Sequence, residues 1–285
     1  HTRWSGDPLL NLLGAGNSSF IANDTTLTDQ FAIFGELSYA ITDQVNATLG
    51  IRHFDYERDF NQKLLWQGSP LPDRVTDIDE QGESYKVNLT YTPSDDLLVY
   101  GQWAEGFRLG NGGRVNPNCE ALNIESGFDI KSDTSETFEL GLKSSLADSR
   151  VVFNAALYRI NWDDIPIRIF PAGNCSIPTN GGKAKSEGIE IELNAQLASS
   201  LQANVNLSYG EMTLEETSSI GDEGDNLPGS ADVNVSAGLQ YDFTMANYES
   251  FARIDYVYLS EYFGTPQEDE FGALPAGDFA QINFK

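Results

Sequence analysis

Hydrophobic and polar positions alternate with a period of two along much of the chain, most clearly from Ala184 to Met212. Ile189, Ile191, Leu193 and Ala195 alternate there with Glu190, Glu192, Asn194 and Gln196. After a break at Leu197 to Ser200, Leu201, Ala203, Val205, Leu207 and Tyr209 alternate with Gln202, Asn204, Asn206 and Ser208. That period places the two sets on opposite faces of a β-strand, so the segment reads as a strand, a tight turn and a returning strand. Each arm has roughly the 9–11 residues a tilted strand needs to cross a bilayer, against about 5–6 for an ordinary strand.

The pattern recurs in Phe31 to Tyr39, Val45 to Arg52, Tyr85 to Tyr91, Leu97 to Glu105, Thr137 to Lys143, Arg150 to Trp162, Val233 to Tyr241, Ala252 to Tyr258 and Asp278 to Lys285. The faces of Arg150 to Trp162 stay open, because Val152, Ala156 and Tyr158 compete with Val151, Phe153 and Leu157. His1 to Thr28, with an apolar patch at Leu9 to Leu13, and the polar stretch Tyr56 to Glu80 read as loops. The total is about eleven strands, whose connections alternate strictly between short and long; outer-membrane barrels have that rhythm, whereas a sandwich would mix loop lengths. The fold expected is therefore all-β, an antiparallel transmembrane β-barrel built as a meander. Arg or Lys on the lipid side at mid-bilayer costs about 2–4 kcal/mol. Arg52, Lys86, Lys143 and Arg253 all fall with the polar set, so the apolar set is assigned to lipid and the polar set to a wet lumen. Tyr39, Tyr91, Trp103, Trp162, Tyr209, Tyr241 and Tyr258 are expected at headgroup level.

Composition narrows the function without deciding the fold. Mean hydropathy is −0.34 and no apolar run reaches the length of a membrane-crossing helix; lipid-facing residues of a barrel are diluted one in two. A net charge of −26 argues against nucleic acid, which needs clustered cations. Acidic residues gather between strands, at Asp73 to Glu83, Glu215 to Asp225 and Glu268 to Glu270. Asp77, Asp79 and Gly82 loosely echo a calcium loop, but Gln81 and Asn88 stand where further ligands belong, and no metal site is assigned. Cys119 and Cys175, both in loop sequence, fit a disulfide in an oxidising compartment, with two free thiols as the alternative. The histidines are His1 and His53, which leaves Ser-His or Cys-His catalysis without a base. Glu190 and Glu192 point into the lumen as ordinary polar residues, so neither an enzyme nor a cofactor is expected.

Five stretches resemble the C-terminal part of a TonB-dependent outer-membrane receptor barrel. Tyr85 to Leu97 is similar to the family's strand, Pro-Ser/Thr-Asp turn and next strand, and Glu105-Gly106-Phe107-Arg108 to its strand-ending Glu-Gly-Phe-Arg/Lys, with Leu109-Gly110 where Pro-Gly is usual. Ser135 to Lys143 and Lys185 to Glu192 resemble its Glu-x-x-Glu-x-Gly-x-Lys and Ser-x-Gly-x-Glu strands, and Leu227-Pro228-Gly229-Ser230 its Leu-Pro strand entry. The resemblance implies a plugged barrel of about 22 strands, of which this chain would supply roughly strands ten to twenty. The plug, the TonB box, the first half of the barrel and the last two strands would then lie outside it. It further implies active import of a scarce solute across the outer membrane of a Gram-negative bacterium, energised by the TonB-ExbB-ExbD complex, with lipid and lipopolysaccharide around the wall. Ferric siderophores are the commonest cargo of that family; cobalamin or an oligosaccharide are the other options. Trp66, Phe107, Arg108 and Arg114 are the candidate ligand contacts, since aromatics and Arg suit a bulky or anionic chelate. The rival readings are a passive porin-type channel and a soluble secreted adhesin or lectin-like domain. The soluble reading requires the Ala184 to Met212 hairpin to bury its apolar face against another sheet.

Overall fold

The computed structural model describes residues 2–5, 20–66, 69–218, 221–227, 229–263 and 275–285. The apolar patch Leu9 to Leu13, Pro228 and the acidic Glu268 to Glu270 lie outside the described residues, as does the side chain of Trp66.

The long strands are β2 (Phe20–Ala40), β3 (Val45–Trp66), β5 (Arg74–Ser94), β6 (Leu97–Arg108), β7 (Asp133–Leu146), β8 (Val151–Asp163), β11 (Lys183–Ala198), β12 (Leu201–Leu214), β13 (Val233–Met245), β14 (Tyr248–Leu259) and β17 (Phe279–Phe284). Short pieces complete the set: β1 (Thr2–Ser5), β4 (Ser69–Pro70), the pair β9 (Pro166–Ala172) and β10 (Cys175–Asn180), and the pair β15 (Tyr262–Phe263) and β16 (Pro275–Ala276). The path β1-β2-β3-β5-β6-β7-β8-β11-β12-β13-β14-β17 forms one antiparallel sheet that is not closed. Every strand read from the alternation is present.

Register confirms the faces. In the β11–β12 hairpin Ile189 pairs with Tyr209, Ile191 with Leu207 and Leu193 with Val205, all on one face. Across β7 and β8 Leu140 pairs with Leu157, and Lys143 with Asn154. This settles the open strand: Val151, Phe153 and Leu157 share the apolar face, and Val152, Asn154, Ala156 and Tyr158 the polar one. Among the described residues no second layer covers the apolar face; Leu37 is 70% exposed, Leu49 56% and Leu140 56%. A soluble sandwich would bury those residues, so that reading is overturned.

Three loop assignments need correction. Within His1 to Thr28, residues 2–5 form β1 and residues 20–28 the start of β2, which runs past the bilayer beside the extended β3. Residues 56–66 and 74–80 are strand, extending β3 and β5 far beyond the bilayer's needs at 22 and 21 residues. Asp77, Asp79 and Gly82 therefore lie on extended backbone rather than in a cation-wrapping loop. The segment after Trp162 also contains the β9–β10 hairpin. The buried cores all sit at the long-loop end: Phe54, Tyr56 and Ile78 in one, Ile165, Ile167, Ala184 and Leu214 in a second, Cys119, Cys175 and Ile177 in a third. Among the described residues the buried hydrophobic clusters lie in this cap, while the strand bodies leave their apolar face for lipid.

Candidate functional site

The cap is built where β5 and β6 part. Their ladder runs from Lys86–Ala104 to Tyr91–Val99. Just beyond it the Tyr85 N–H donates to the Glu105 carboxylate at 3.0 Å instead of to a strand carbonyl. Phe107 enters the gap and stacks on Phe54, with ring centroids 3.6 Å apart, and Arg52 lies 5.7 Å from the Phe107 centroid.

The chain after β6 then folds onto the polar-side face of β3 and β5. The Tyr56 hydroxyl, fully buried, donates to Glu80 Oε2 at 2.7 Å and accepts from the Gly110 N–H at 2.9 Å, with Ser132 Oγ at 3.0 Å. Burial pushes this phenol above its ordinary range, and its bond to the Glu80 carboxylate adds to the rise. Further along, Gln62 Oε1 accepts from the Val115 N–H at 2.9 Å, and Arg74 donates to the Gly113 carbonyl at 3.0 Å and pairs with Asp129 at 2.9 Å. Gly112 has to be glycine, since a Cβ there would sit 2.4 Å from the Phe60 ring. A short helix, α1 (Pro117–Glu120), follows, capped by the Asn116 side chain accepting from the Asn118 N–H. It carries Cys119, which is disulfide-bonded to Cys175 of β10. Asn116 Nδ2 to the Ser176 carbonyl (2.9 Å) and the Lys131 N–H to Asn180 Oδ1 (2.7 Å) fasten the two loops further. Residues 109–132 and the β9–β10 hairpin thus act as one bridge from the β3–β5 extension to the β8–β11 junction.

At the mouth of the polar face, where β6, β7 and β8 end, Arg108 grips Asp133 through Nε and Nη2 at 2.9 and 2.7 Å. Its guanidinium lies 4.7 Å from the Trp162 ring centroid, and Trp162 Nε1 also donates to Asp133. Asp133 is 7% exposed and Arg108 58% exposed. The carboxylate is consumed in positioning, and one face of the cation and ring stays free. Below, the polar wall carries Lys86–Glu36 (3.0 Å), Tyr100–Glu139, Lys143 over Tyr100 (5.7 Å) and Asn154–Glu192 (3.0 Å). A 480 Å³ groove runs between Glu139, Lys143, Asn154, Glu190, Glu192 and Asn206. Among the described residues no His, Cys, Asp or Glu cluster is arranged to hold a metal.

Of the expected contacts, Arg108 and Phe107 are brought to this mouth, Phe107 with its ring spent on Phe54. Arg114 is elsewhere, 2.7 Å from Asp24. Trp66 ends β3, at the tip of the extension. Trp162 does not join the expected headgroup belt: its register opposite Ser135 and Ala184 puts it on the polar face, where it is the aromatic partner of Arg108. Its even parity with Asn154 and Tyr158 was the available signal.

The TonB dependent receptor-like β-barrel family matches residues 2–285. The chain is a TonB-dependent receptor barrel. Such barrels are outer-membrane proteins of Gram-negative bacteria, which agrees with the lipid-facing surface. The receptor chain is 22% identical over 188 residues to a ferric-pyoverdine receptor of Pseudomonas putida, covering 65% of this chain and 21% of that protein. It is 29% identical over 192 residues to a TonB-dependent receptor of Haemophilus influenzae, covering 67% and 47%. Among solved structures it superposes on the ferric yersiniabactin uptake receptor FyuA from Yersinia pestis with TM-score 0.77 and 16% identity, over 93% of this chain and 39% of that one. For the siderophore receptor PiuA from Acinetobacter baumannii the values are 0.67 and 17%, over 92% and 36%. In each case the chain spans less than half of its relative.

Proposed function

We propose that this chain forms part of the wall and outer cap of an energised importer of ferric siderophores. The observation that carries the reading is the Arg108–Trp162 pair, held by Asp133 at the mouth of a polar wall and beneath a covalently bridged cap. A flat cation on an aromatic ring suits an anionic, ring-bearing chelate. The names of the relatives support the same cargo: a ferric-pyoverdine receptor in Pseudomonas putida, a ferrioxamine receptor in Yersinia enterocolitica. In this reading a plug fills the lumen of a barrel of about 22 strands, and the TonB-ExbB-ExbD complex moves that plug so that the chelate passes along the polar wall. The chain's share of its solved relatives, 39% of one and 36% of another, is in keeping with that division.

Arg108→Ala in the full-length receptor tests it. Losing one charge-assisted contact of about 1.5–3 kcal/mol weakens ferric-chelate binding roughly 10- to 150-fold. Unchanged affinity for ferric chelates, or affinity for cobalamin or a glycan instead, overturns the cargo assignment. Uptake that persists without TonB overturns the energised step in favour of a passive channel.

A further inference from the structure

The wall splits between β5 and β6. Their ladder ends at Lys86–Ala104, while β5 continues to Arg74 with β3 alone beside it. Backbone groups of successive residues point to alternate sides of a strand. In β5 the Thr92 N–H donates to Gln44 on the β3 side, and the Tyr85 N–H donates to Glu105 on the other. The register with β3 is unbroken, so even residues bond β3 and odd residues face the split. Val75, Asp77, Asp79, Gln81 and Glu83 therefore present their N–H and C=O groups on an open edge. It is about 26 Å long, eight rises of about 3.3 Å. Among the described residues no strand pairs with this edge and no side chain bonds to its backbone.

The charges around the edge say what it accepts and what it rejects. The side chains of all five edge residues are exposed on the outward face. That face is acidic: Asp29, Glu57 and Asp79 stand in one cross-strand row, and Asp59 faces Asp77 in the next. Like charges directly opposite destabilise a sheet, so packing does not account for these rows. Among the described side chains the basic groups here are Lys63, 3.9 Å from Asp73, and His53, 3.6 Å from Glu83. A second copy of the chain, pairing through the same edge in full overlap, would set Asp79 against Asp79, so the charge pattern disfavours self-pairing. A 550 Å³ hollow begins at the edge, at Val75 and Asp77, and runs across the outward face past Asp59 to Leu27. It has room for a long side chain.

We propose that residues 75–83 of β5 are a docking edge for an extended, basic segment of another extracellular protein, which adds to the sheet as one more strand. Main-chain bonds to the open edge supply the pairing, and alternate side chains supply the choice of partner. Lys or Arg at every second position of the segment would face Asp77, Asp79 and Glu83, and one such chain would lie in the hollow. The positions between them would be small or apolar, because Ile78 is buried with Phe107 and Leu109 packed on that side. A charged edge deters indiscriminate pairing; charge of a single sign deters copies of itself and selects the opposite sign. The edge faces outward, whereas Arg108 and Trp162 face the lumen, so the inference does not rest on the cargo.

The probe is a synthetic peptide of alternating Lys and Thr, matched in length to the edge and added to the full-length receptor in detergent micelles. Amides of Val75, Asp77, Asp79, Gln81 and Glu83 should exchange rapidly in the free receptor and about tenfold more slowly with the peptide, while those of β11 and β12 keep their rates. Gln81→Pro removes one edge N–H and leaves the β3 ladder intact; Asp77→Asn with Asp79→Asn removes two charges and leaves the edge intact. Each should weaken peptide binding about tenfold. Two further peptides are N-methylated at odd or at even residues. Both keep every charge, and the one blocked on its pairing side should lose binding. Edge amides already protected in the free receptor would overturn the proposal. So would equal binding by both methylated peptides or by Gln81→Pro, which would mean charge attraction alone. Equal binding of a Glu-Thr peptide, or receptor dimers that protect these amides, would overturn it as well.

Discussion

Replacing Tyr56 by Phe removes one oxygen from the centre of the cap and changes almost no volume. That oxygen joins three elements: it donates to Glu80 on β5 and accepts from the Gly110 N–H of the loop, beside Ser132. Leaving a buried polar group unpaired costs about 1–3 kcal/mol. Here the loss is partly covered, because the Ser132 hydroxyl also contacts Gly110 N–H, at 3.2 Å, and the Glu80 carboxylate. The expected cost is in the middle of the range, about 1.5–2 kcal/mol, and it falls on the docking of residues 109–132 rather than on the barrel. Hydrogen exchange reads such local opening directly. Amides of residues 110–115 should exchange about 10–30-fold faster in Tyr56→Phe, while those of β11 and β12 keep their rates. Unchanged protection at 110–115 would refute the role of the network. Equal acceleration throughout the barrel would show that the cap is not a separate unit.

Gly112→Ala forces a Cβ against Phe60, which is 1% exposed and has nowhere to move; the strain of about 1–3 kcal/mol should raise proteolysis in the same loop without altering the barrel. Cys119→Ser with Cys175→Ser removes a link across 56 residues, worth about 4 kcal/mol in the chain-entropy account. It should separate the β9–β10 hairpin from α1, seen as parallel gains in exchange at 117–122 and 175–180. Burial, and then the Glu211 charge beside it, push Asp232 above the ordinary carboxylate range. A raised acid favours the folded loop when protonated, so its destabilising effect is absent below the ordinary carboxylate pKa and appears as pH rises through the folded value. Asp232→Asn should remove that pH dependence from the exchange of residues 221–232 measured between pH 4 and 7, and an unchanged profile would contradict it.

The strand bodies were legible because the bilayer imposes one rule along their length. Val45, Ala47, Leu49 and Ile51 are apolar outward, and Asn46, Thr48 and Gly50 face the lumen. Beyond His53 the rule inverts. Asp55, Glu57 and Asp59 now meet water on the outside, while Phe54, Tyr56 and Phe60 are buried on the inside under residues 109–132, and Leu64 is buried further along the same face. The period of two continues with its phase shifted by one residue. Read against a single phase, that shift makes residues 56–80 look like polar loop. The same inversion hid the cap, whose core is made from residues that alternation assigns to the lumen. Arg108 could be found from its strand-ending motif. Its partner Asp133 lies 25 residues along the chain and Trp162 a further 29 beyond Asp133, and only the β6–β7–β8 register brings them together.

The account rests on lipid meeting the apolar face. Spin labels placed singly at residues 189–196 measure this through their collision rates with oxygen, which concentrates in the bilayer, and with a water-soluble nickel chelate. Labels at 189, 191, 193 and 195 should show oxygen maxima, and labels at 190, 192, 194 and 196 nickel maxima, with a period of two. Odd positions shielded from both reagents, as in a dry protein interior, would contradict the account.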